Sequence, residues 1–127
     1  MINYKITTKD VYSMRYPTCG DYFKINDTTF IEVCSQKTED YEFLIMIHEL
    51  IEEYLTRKRN ISELDITKFD LMFEKEREEG LHSEDDEPGY DLRAPYRKEH
   101  IFSENIERLI AAELGVDWQK YNDDLIS

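Results

Sequence analysis

The chain has 127 residues, and its 29 Asp and Glu against 16 Lys and Arg give a formal net charge of −13. A chain of this length with 40% hydrophobic residues can bury one core, so we predict a single domain over residues 1–127. The acidic excess repels phosphate backbones and anionic lipid, which argues against direct nucleic-acid or membrane binding. It favours a protein partner with a basic surface, and it does not predict an oligomeric state.

The cysteines and the apolar segments indicate the cellular compartment. Cys19 and Cys34 form neither a CxxC pair nor a disulfide framework, which is typical of reduced cytosolic thiols. The longest uninterrupted apolar stretch, residues 43–47, is far shorter than the ~20 residues that cross a bilayer. Residues 1–10 show no basic region followed by an apolar run, so we expect an untargeted, soluble, cytoplasmic protein.

Residues 1–35 favour β-strands. Two runs of β-forming residues flank an Asn26-Asp27 turn, a pattern typical of a hairpin. A two-residue turn would place Phe23 opposite Phe30, with Ile25 on the same face for a helical layer to cover. We therefore predict a small antiparallel sheet of two or three strands.

Helical periodicity dominates from residue 40 onward. It predicts helices over residues 40–57, from about 62–67 to 79, and over 95–114, and a short helix capped by Asp117. The apolar side chains expected on buried faces are Phe43, Leu44, Ile45, Met46, Ile47, Leu50, Ile51, Tyr54, Leu55, Ile66, Phe69, Met72, Phe73, Ile101, Phe102, Ile106, Leu109, Ile110 and Leu114.

Residues 81–94 form an acidic segment rich in turn formers. A loop of this length is usually either a functional lid or disordered. The complete prediction is an α+β fold, in which a small N-terminal antiparallel sheet (within residues 1–35) packs on a bundle of three to four helices (residues 40–127). The acidic loop is expected to lie across one end of that bundle.

The first long helix carries a variant of the HExxH metal-binding motif. His48 and Glu49 are followed by Glu52 where a second histidine would stand. His48 and Glu52 are four residues apart, which stacks them on one helical face. Their angular positions around the helix axis predict that they lie at the boundary between the buried and the polar face. Glu49 lies farther round the helix, a less favourable position for a catalytic base.

The later long helix repeats the spacing with His100 and Glu104. Two antiparallel helices would bring His48, Glu52 and His100 together, with Glu104 as a fourth ligand. Imidazoles and carboxylates bind zinc, manganese and iron, of which we predict zinc first. A bound ion would lower the pKa of its water towards ~7, which creates a hydrolytic nucleophile. Glu49 or Glu87 would act on that water.

The segment IHELIEEYL, residues 47–55, resembles the metal-binding helix of the zincin metalloproteases. The resemblance implies that His48 is a ligand, that Glu49 is the general base, and that Glu52 stands in the place of the second histidine. It covers about ten residues and departs from the family at that histidine, which weakens the implication of peptidase activity.

A second resemblance covers most of the chain from Phe43 onward. The segments that carry it are IHELIEEYL, DEPG at 86–89, APYRKEHIF at 94–102, NIERLIAAELGVDW at 105–118, and Tyr121. Together they look like a group of small, uncharacterised bacteriophage and prophage proteins. The resemblance implies a phage or prophage setting, with the host cytoplasm as the compartment and association with the virion also open, and it implies no activity.

These observations predict a metal-binding, phage-type protein, with metal-dependent hydrolysis as its activity if it is an enzyme. The alternative is a non-catalytic phage accessory or structural protein whose acidic surface docks on a basic partner without metal. Two other readings stay open: a magnesium-dependent nucleotide pyrophosphatase built on the helical carboxylates, and a nucleic-acid mimic. Imidazoles of His48 and His100 within ~5 Å would favour metal.

Overall fold

A computed structural model describes residues 1–127 as an α+β fold, which confirms the predicted class. The strands are β1 (Tyr4–Lys9), β2 (Gly20–Ile25) and β3 (Thr28–Cys34). The helices are α1 (Glu39–Lys58), α2 (Glu63–Glu78), α3 (Arg97–Glu113) and α4 (Trp118–Asp124). None of these helices is both long and apolar enough to cross a membrane.

The predicted hairpin is confirmed. β2 and β3 are antiparallel and are joined by a two-residue turn, in which Asn26 adopts a positive φ of 56°. Phe23 pairs with Phe30, and their rings stack with centroids 5.5 Å apart. The prediction that a helix covers Ile25 is wrong, because this face of the sheet points away from α1. Ile25 is 54% exposed there, while the guanidinium of Arg15 covers the Phe23 ring.

The sheet is mixed, in contrast to the wholly antiparallel sheet that was predicted. Its order is β1-β3-β2, and β1 pairs in parallel with β3. Residues 10–19, which include a 3-10 turn at Val11–Ser13, carry the chain from one edge of the sheet to the other. The hairpin strand β3 therefore becomes the central strand, and one of its faces supports α1.

Two apolar clusters hold the layers together. The larger joins the sheet to α1, α3 and α4 through Ile31, Val33, Tyr41, Leu44, Ile45, Ala111 and Tyr121. The smaller joins α2 to the segment that precedes α3 through Ile66, Phe69, Phe73, Ala94 and Tyr96. Met72, which the helical pattern also predicts to be buried, lies on the exposed side of α2.

α1 and α3 pack antiparallel through a polar interface. His48 near the middle of α1 contacts Glu107 late in α3, whereas Arg59 just beyond α1 contacts Glu99 early in α3. The buried residues of α3 are Glu99, Ser103, Glu107 and Ala111. Those of α1 are Tyr41, Leu44, Ile45, His48, Glu52, Glu53 and Thr56.

The predicted apolar stripe of α3 is wrong in part, although Ile110 packs against the larger apolar cluster. Phe102 is 49% exposed and Leu109 is 67% exposed, and Leu114 is also exposed. On α1, Phe43 and Tyr54 are exposed in the same way. Leu44 and Ile45 of α1 are buried, as predicted. The hydrophobic pattern misplaces the exposed residues because carboxylates and histidines occupy the interface between α1 and α3, where they bond to one another instead of to water.

The acidic segment between α2 and α3 is tied to α2. Arg77 donates hydrogen bonds to the backbone carbonyls of Ser83, Glu84 and Asp86 at 2.7, 2.9 and 2.8 Å. The segment continues through a 3-10 turn at Pro88–Tyr90, and α3 begins at Arg97, two residues after the predicted start. This path places the end of the loop against α3 at the level of His100.

Candidate metal centre

Three donor atoms converge where α1 and α3 face each other. His48 Nε2 lies 2.9 Å from Glu52 Oε2, His100 Nδ1 lies 2.9 Å from the same oxygen, and the two nitrogens are 3.1 Å apart. His48 and Glu52 come together because they are one helical turn apart on α1. The antiparallel packing of α3 supplies His100, so the structure brings these three predicted residues into one group that could hold a metal ion.

An outer carboxylate orients His48. Its Nδ1 atom lies 2.7 Å from Glu107 Oε1, and the hydroxyl of Tyr121 donates to Glu107 Oε2 at 2.6 Å. All three side chains are buried. A carboxylate that accepts the Nδ1 proton leaves the Nε2 lone pair facing the other two donors, which is how proteins commonly orient a histidine that ligates a metal.

The other two donors are held in the same way. Tyr22 donates to Glu52 Oε1 at 2.9 Å, which leaves Oε2 facing the histidines. His100 Nε2 lies 3.2 Å from Glu87 Oε2, which leaves Nδ1 facing inward. Each of the three converging atoms therefore belongs to a side chain whose other polar atom already has a partner.

The centre favours positive charge. Burial opposes protonation of His100, but its hydrogen bonds to Glu52 and Glu87 raise its pKa to about 9. Burial likewise acts to lower the pKa of His48, yet the bonds to Glu107 and Glu52 raise it well above its usual value. The pKa of Glu52 would rise on burial, but the two histidines lower it to about 2. A proton or a metal cation can supply this positive charge.

Close backbone packing fixes the ring of His100. Gly89, at the end of the acidic loop, lies so near that a Cβ atom there would overlap the imidazole. The rings of Tyr90 and Tyr96 meet the imidazole edge-on, with centroids 5.2 and 6.1 Å away. The side chain of His100 is consequently 13% exposed although the residue lies near the protein surface.

The three donors face a cleft of about 1100 Å³. Glu49, the predicted base, also lines this cleft, where Gly20 of β2 leaves room for its side chain. A Cβ atom on Gly20 would lie 2.7 Å from the Glu49 carboxylate. Burial, together with the charge of Glu52, raises the pKa of Glu49 to about 8.

No family model, curated protein or solved structure matches the chain. The resemblances to phage proteins and to zincins therefore stay predictions. The interpretation of the site rests on its own geometry.

Glu104, the predicted fourth ligand, lies on the other side of His100. It does not join His48 and Glu52, and it forms a separate group of ligand atoms with Glu87 and His100. Burial and the charges of Glu87 and Glu107 raise the pKa of Glu104 to about 7. It stands one helical turn beyond His100 on α3, on the side that faces Glu87 of the acidic loop.

Two residues of the centre could not be assigned to it from the sequence. Tyr22 and Tyr121 come from β2 and α4, and no spacing relates either of them to the histidines. Glu107 lies one turn beyond Ser103 on the same face of α3, but only the knowledge that this polar face is buried assigns it to His48. A buried tyrosine needs a partner for its hydroxyl, and that is the one available signal.

Proposed function

We propose that the chain binds one divalent transition-metal ion between α1 and α3, through His48 Nε2, Glu52 Oε2 and His100 Nδ1. The observation that carries the proposal is the convergence of these atoms within 3.1 Å while the opposite atom of each side chain is engaged elsewhere. Two imidazoles and one carboxylate suit iron, manganese and zinc, and open positions beside such ligands are a feature of catalytic sites.

The three donors lie close enough together to bind one ion. Their separations of 2.9, 2.9 and 3.1 Å are below the ~4.2 Å that two ligands of one ion can span when each bond is ~2.1 Å. Three protein ligands would leave further coordination positions for water and substrate. Iron, manganese and zinc all accept this set of ligands.

The activity that this centre supports best is hydrolysis by metal-bound water. An ion held by these three ligands would supply a bound water of lowered pKa, and Glu49 in the wall of the cleft would accept its proton. The positive charge of the ion would also offset the repulsion between Glu49 and the neighbouring carboxylates, and it would thereby favour the ionised form of Glu49.

The charge of the cleft limits the substrate. Its acidic lining residues include Asp21, Glu49, Glu52, Glu63, Asp70, Glu74, Glu84, Asp85, Asp86, Glu87, Glu104, Glu107 and Asp123. Its two arginines are engaged, Arg15 with Asp21 and Arg77 with Glu74 and the acidic loop. Free phosphates and carboxylates are repelled, so the expected substrates are amides or esters of neutral or basic compounds.

The metal content of the purified protein tests the proposal. Wild type prepared without chelator is expected to carry about one divalent ion per chain, and His48→Ala is expected to carry none. His82→Ala is the matched control, because His82 stacks on Phe73 and bonds Glu76 outside the centre. A chain that carries no metal and gains no thermal stability from added iron, manganese or zinc would refute the proposal. That result would favour the alternative, a non-catalytic protein whose acidic surface docks on a basic partner.

A second variant tests the hydrolytic step. Glu49→Gln is expected to retain the ion and to lose hydrolysis of a neutral ester by about 100-fold, the size of a general-base contribution. Metal-loaded wild type that hydrolyses the ester no faster than Glu49→Gln would leave a metal-binding protein without this activity.

A further inference from the structure

The imidazole of His100 has carboxylates on both of its edges. Nδ1 faces Glu52, whereas Nε2 lies 3.2 Å from Glu87 Oε2. Glu104 offers a carboxylate oxygen to this second group, and the ligand atoms of Glu87, His100 and Glu104 all lie within 4.8 Å of one another. The same ring is thus the common member of two groups of ligand atoms.

One divalent ion leaves this region strongly negative. The carboxylates around the histidines are Glu49, Glu52, Glu87, Glu104 and Glu107, all of which line the cleft. The two arginines that line the cleft have other partners, and no lysine lines it. Arg108 offsets part of the charge at Glu104. The energy of the Glu87 and Glu104 carboxylates near one ring falls when a cation lies between them.

We propose that Nε2 of His100, Glu87 and Glu104 bind a second divalent cation, so that His100 bridges two ions. The proposal rests on the proposed function, because the first ion is the one held by His48, Glu52 and Nδ1 of His100. With one ion bound, Nε2 carries a proton that it donates to Glu87. When the second ion binds, that proton leaves to solvent and nothing is oxidised or reduced.

The second ion would tie the acidic loop to α3. Glu87 belongs to the loop, its side chain is 47% exposed, and it is hydrogen-bonded to α3 through His100. Gly89, two residues on, already packs on the same ring, so the loop needs no rearrangement to present Glu87. Metal at this position would close the wall of the cleft and hold it in place.

The number of zinc ions bound per chain tests this inference. Zinc serves as the probe because it accepts imidazole and carboxylate ligands in several geometries, and binding is measured by equilibrium dialysis with elemental analysis. Wild type is expected to bind two ions, Glu104→Gln one, and His48→Ala one weakly held ion. Glu84→Gln, which removes an equal charge from the lining of the same cleft but outside the second group of ligand atoms, is the control and is expected to bind two. Circular dichroism checks that each variant folds.

The outcomes separate the two proposals. One ion in wild type and one in Glu104→Gln would overturn the second site and leave the first standing, whereas no ion in wild type would refute both. Copper(II) provides a second readout, because two Cu²⁺ ions that share one imidazolate couple magnetically. The electron paramagnetic resonance signal per copper should therefore be weaker in wild type than in Glu104→Gln. Equal signals would overturn the shared histidine.

Discussion

His48 Nε2 and His100 Nδ1 lie 3.1 Å apart, although 52 residues separate them in the chain. Each ring gives its other nitrogen to a carboxylate, Glu107 for His48 and Glu87 for His100. Two neutral imidazoles arranged in this way point lone pairs at each other and at the Glu52 carboxylate, which is unfavourable unless a positive charge lies between them. The interface between α1 and α3 is therefore organised around a cation or a proton.

Removing the hydroxyl that supports Glu107 should weaken metal binding. Tyr121→Phe leaves Glu107 free to turn away from His48, and the loss of such an outer partner typically lowers metal affinity by about 10- to 100-fold. Tyr41→Phe is the control, because it removes a hydroxyl from the neighbouring ring of the same aromatic pair, where it bonds Asp124. Calorimetric titration of both variants should show the loss in Tyr121→Phe alone. Equal affinities would mean that Glu107 does not orient the ligand.

A methyl group on Gly89 should disturb His100 directly. The added Cβ atom would overlap the imidazole, and relief of such overpacking costs about 1–3 kcal/mol. Gly89→Ala should therefore lose metal affinity as well as thermal stability. Gly80→Ala is the comparison, because Gly80 has a positive φ of 81° but no neighbour near its Cβ position. It should lose stability with unchanged affinity, and parallel losses in the two variants would contradict the assigned packing.

Much of the fold follows from local patterns, as the hairpin shows. The Asn26 turn and the pairing of Phe23 with Phe30 are set by residues that are neighbours in sequence, and both predictions are confirmed. The parallel pairing of β1 with β3 depends on the path of residues 10–19, which has no periodic signal. The convergence of His48, Glu52 and His100 could be predicted from the sequence. The helical repeat places His48 and Glu52 on one face of α1, and the packing of α3 against that face adds His100.

The polar residues on the buried faces of α1 and α3 could not be predicted from hydrophobicity. A hydrophobic pattern assigns Phe102 and Leu109 to the interior, yet Glu99 and Glu107 take those places. Burial of these carboxylates depends on partners that lie far away in the sequence, such as Arg59 for Glu99. A polar interface of this kind is identified only when all of its partners are known.

The stability of the metal-free protein should depend on pH through Asp70. Burial raises the pKa of Asp70 to about 7 from its ordinary 3.8, although the hydrogen bond from Tyr96 opposes the rise. Between these values the native protein holds a proton that the unfolded chain has lost, so this contribution to the free energy of unfolding declines as the pH rises from about 4 to about 7. Asp70→Asn does not titrate, and its stability relative to wild type should increase over that window. Urea unfolding with chelator present measures the difference, and a constant or decreasing difference would contradict the assignment.

Arg77 should control access to the acidic loop. Arg77→Ala removes three hydrogen bonds to loop carbonyls, and the loss of even one charge-assisted bond worth ~1.5 kcal/mol should raise the population of open loop roughly 10-fold. A protease that cleaves after glutamate should then cut at Glu84 or Glu87 correspondingly faster. Arg108→Ala, which removes a cation that contacts Trp118 and makes no hydrogen bond to the loop, should be cut at the wild-type rate. Equal rates in the two variants would show that Arg77 does not hold the loop.

The most direct test of the metal centre is anomalous diffraction from crystals grown with Mn²⁺. The geometry predicts a peak between α1 and α3, bonded at about 2.1 Å to His48 Nε2, Glu52 Oε2 and His100 Nδ1. Both imidazoles should keep their bonds to Glu107 and Glu87 when the first position alone is filled. A structure with no peak there, in which the two histidines bond only to protein groups while metal binds elsewhere or not at all, would contradict the central claim.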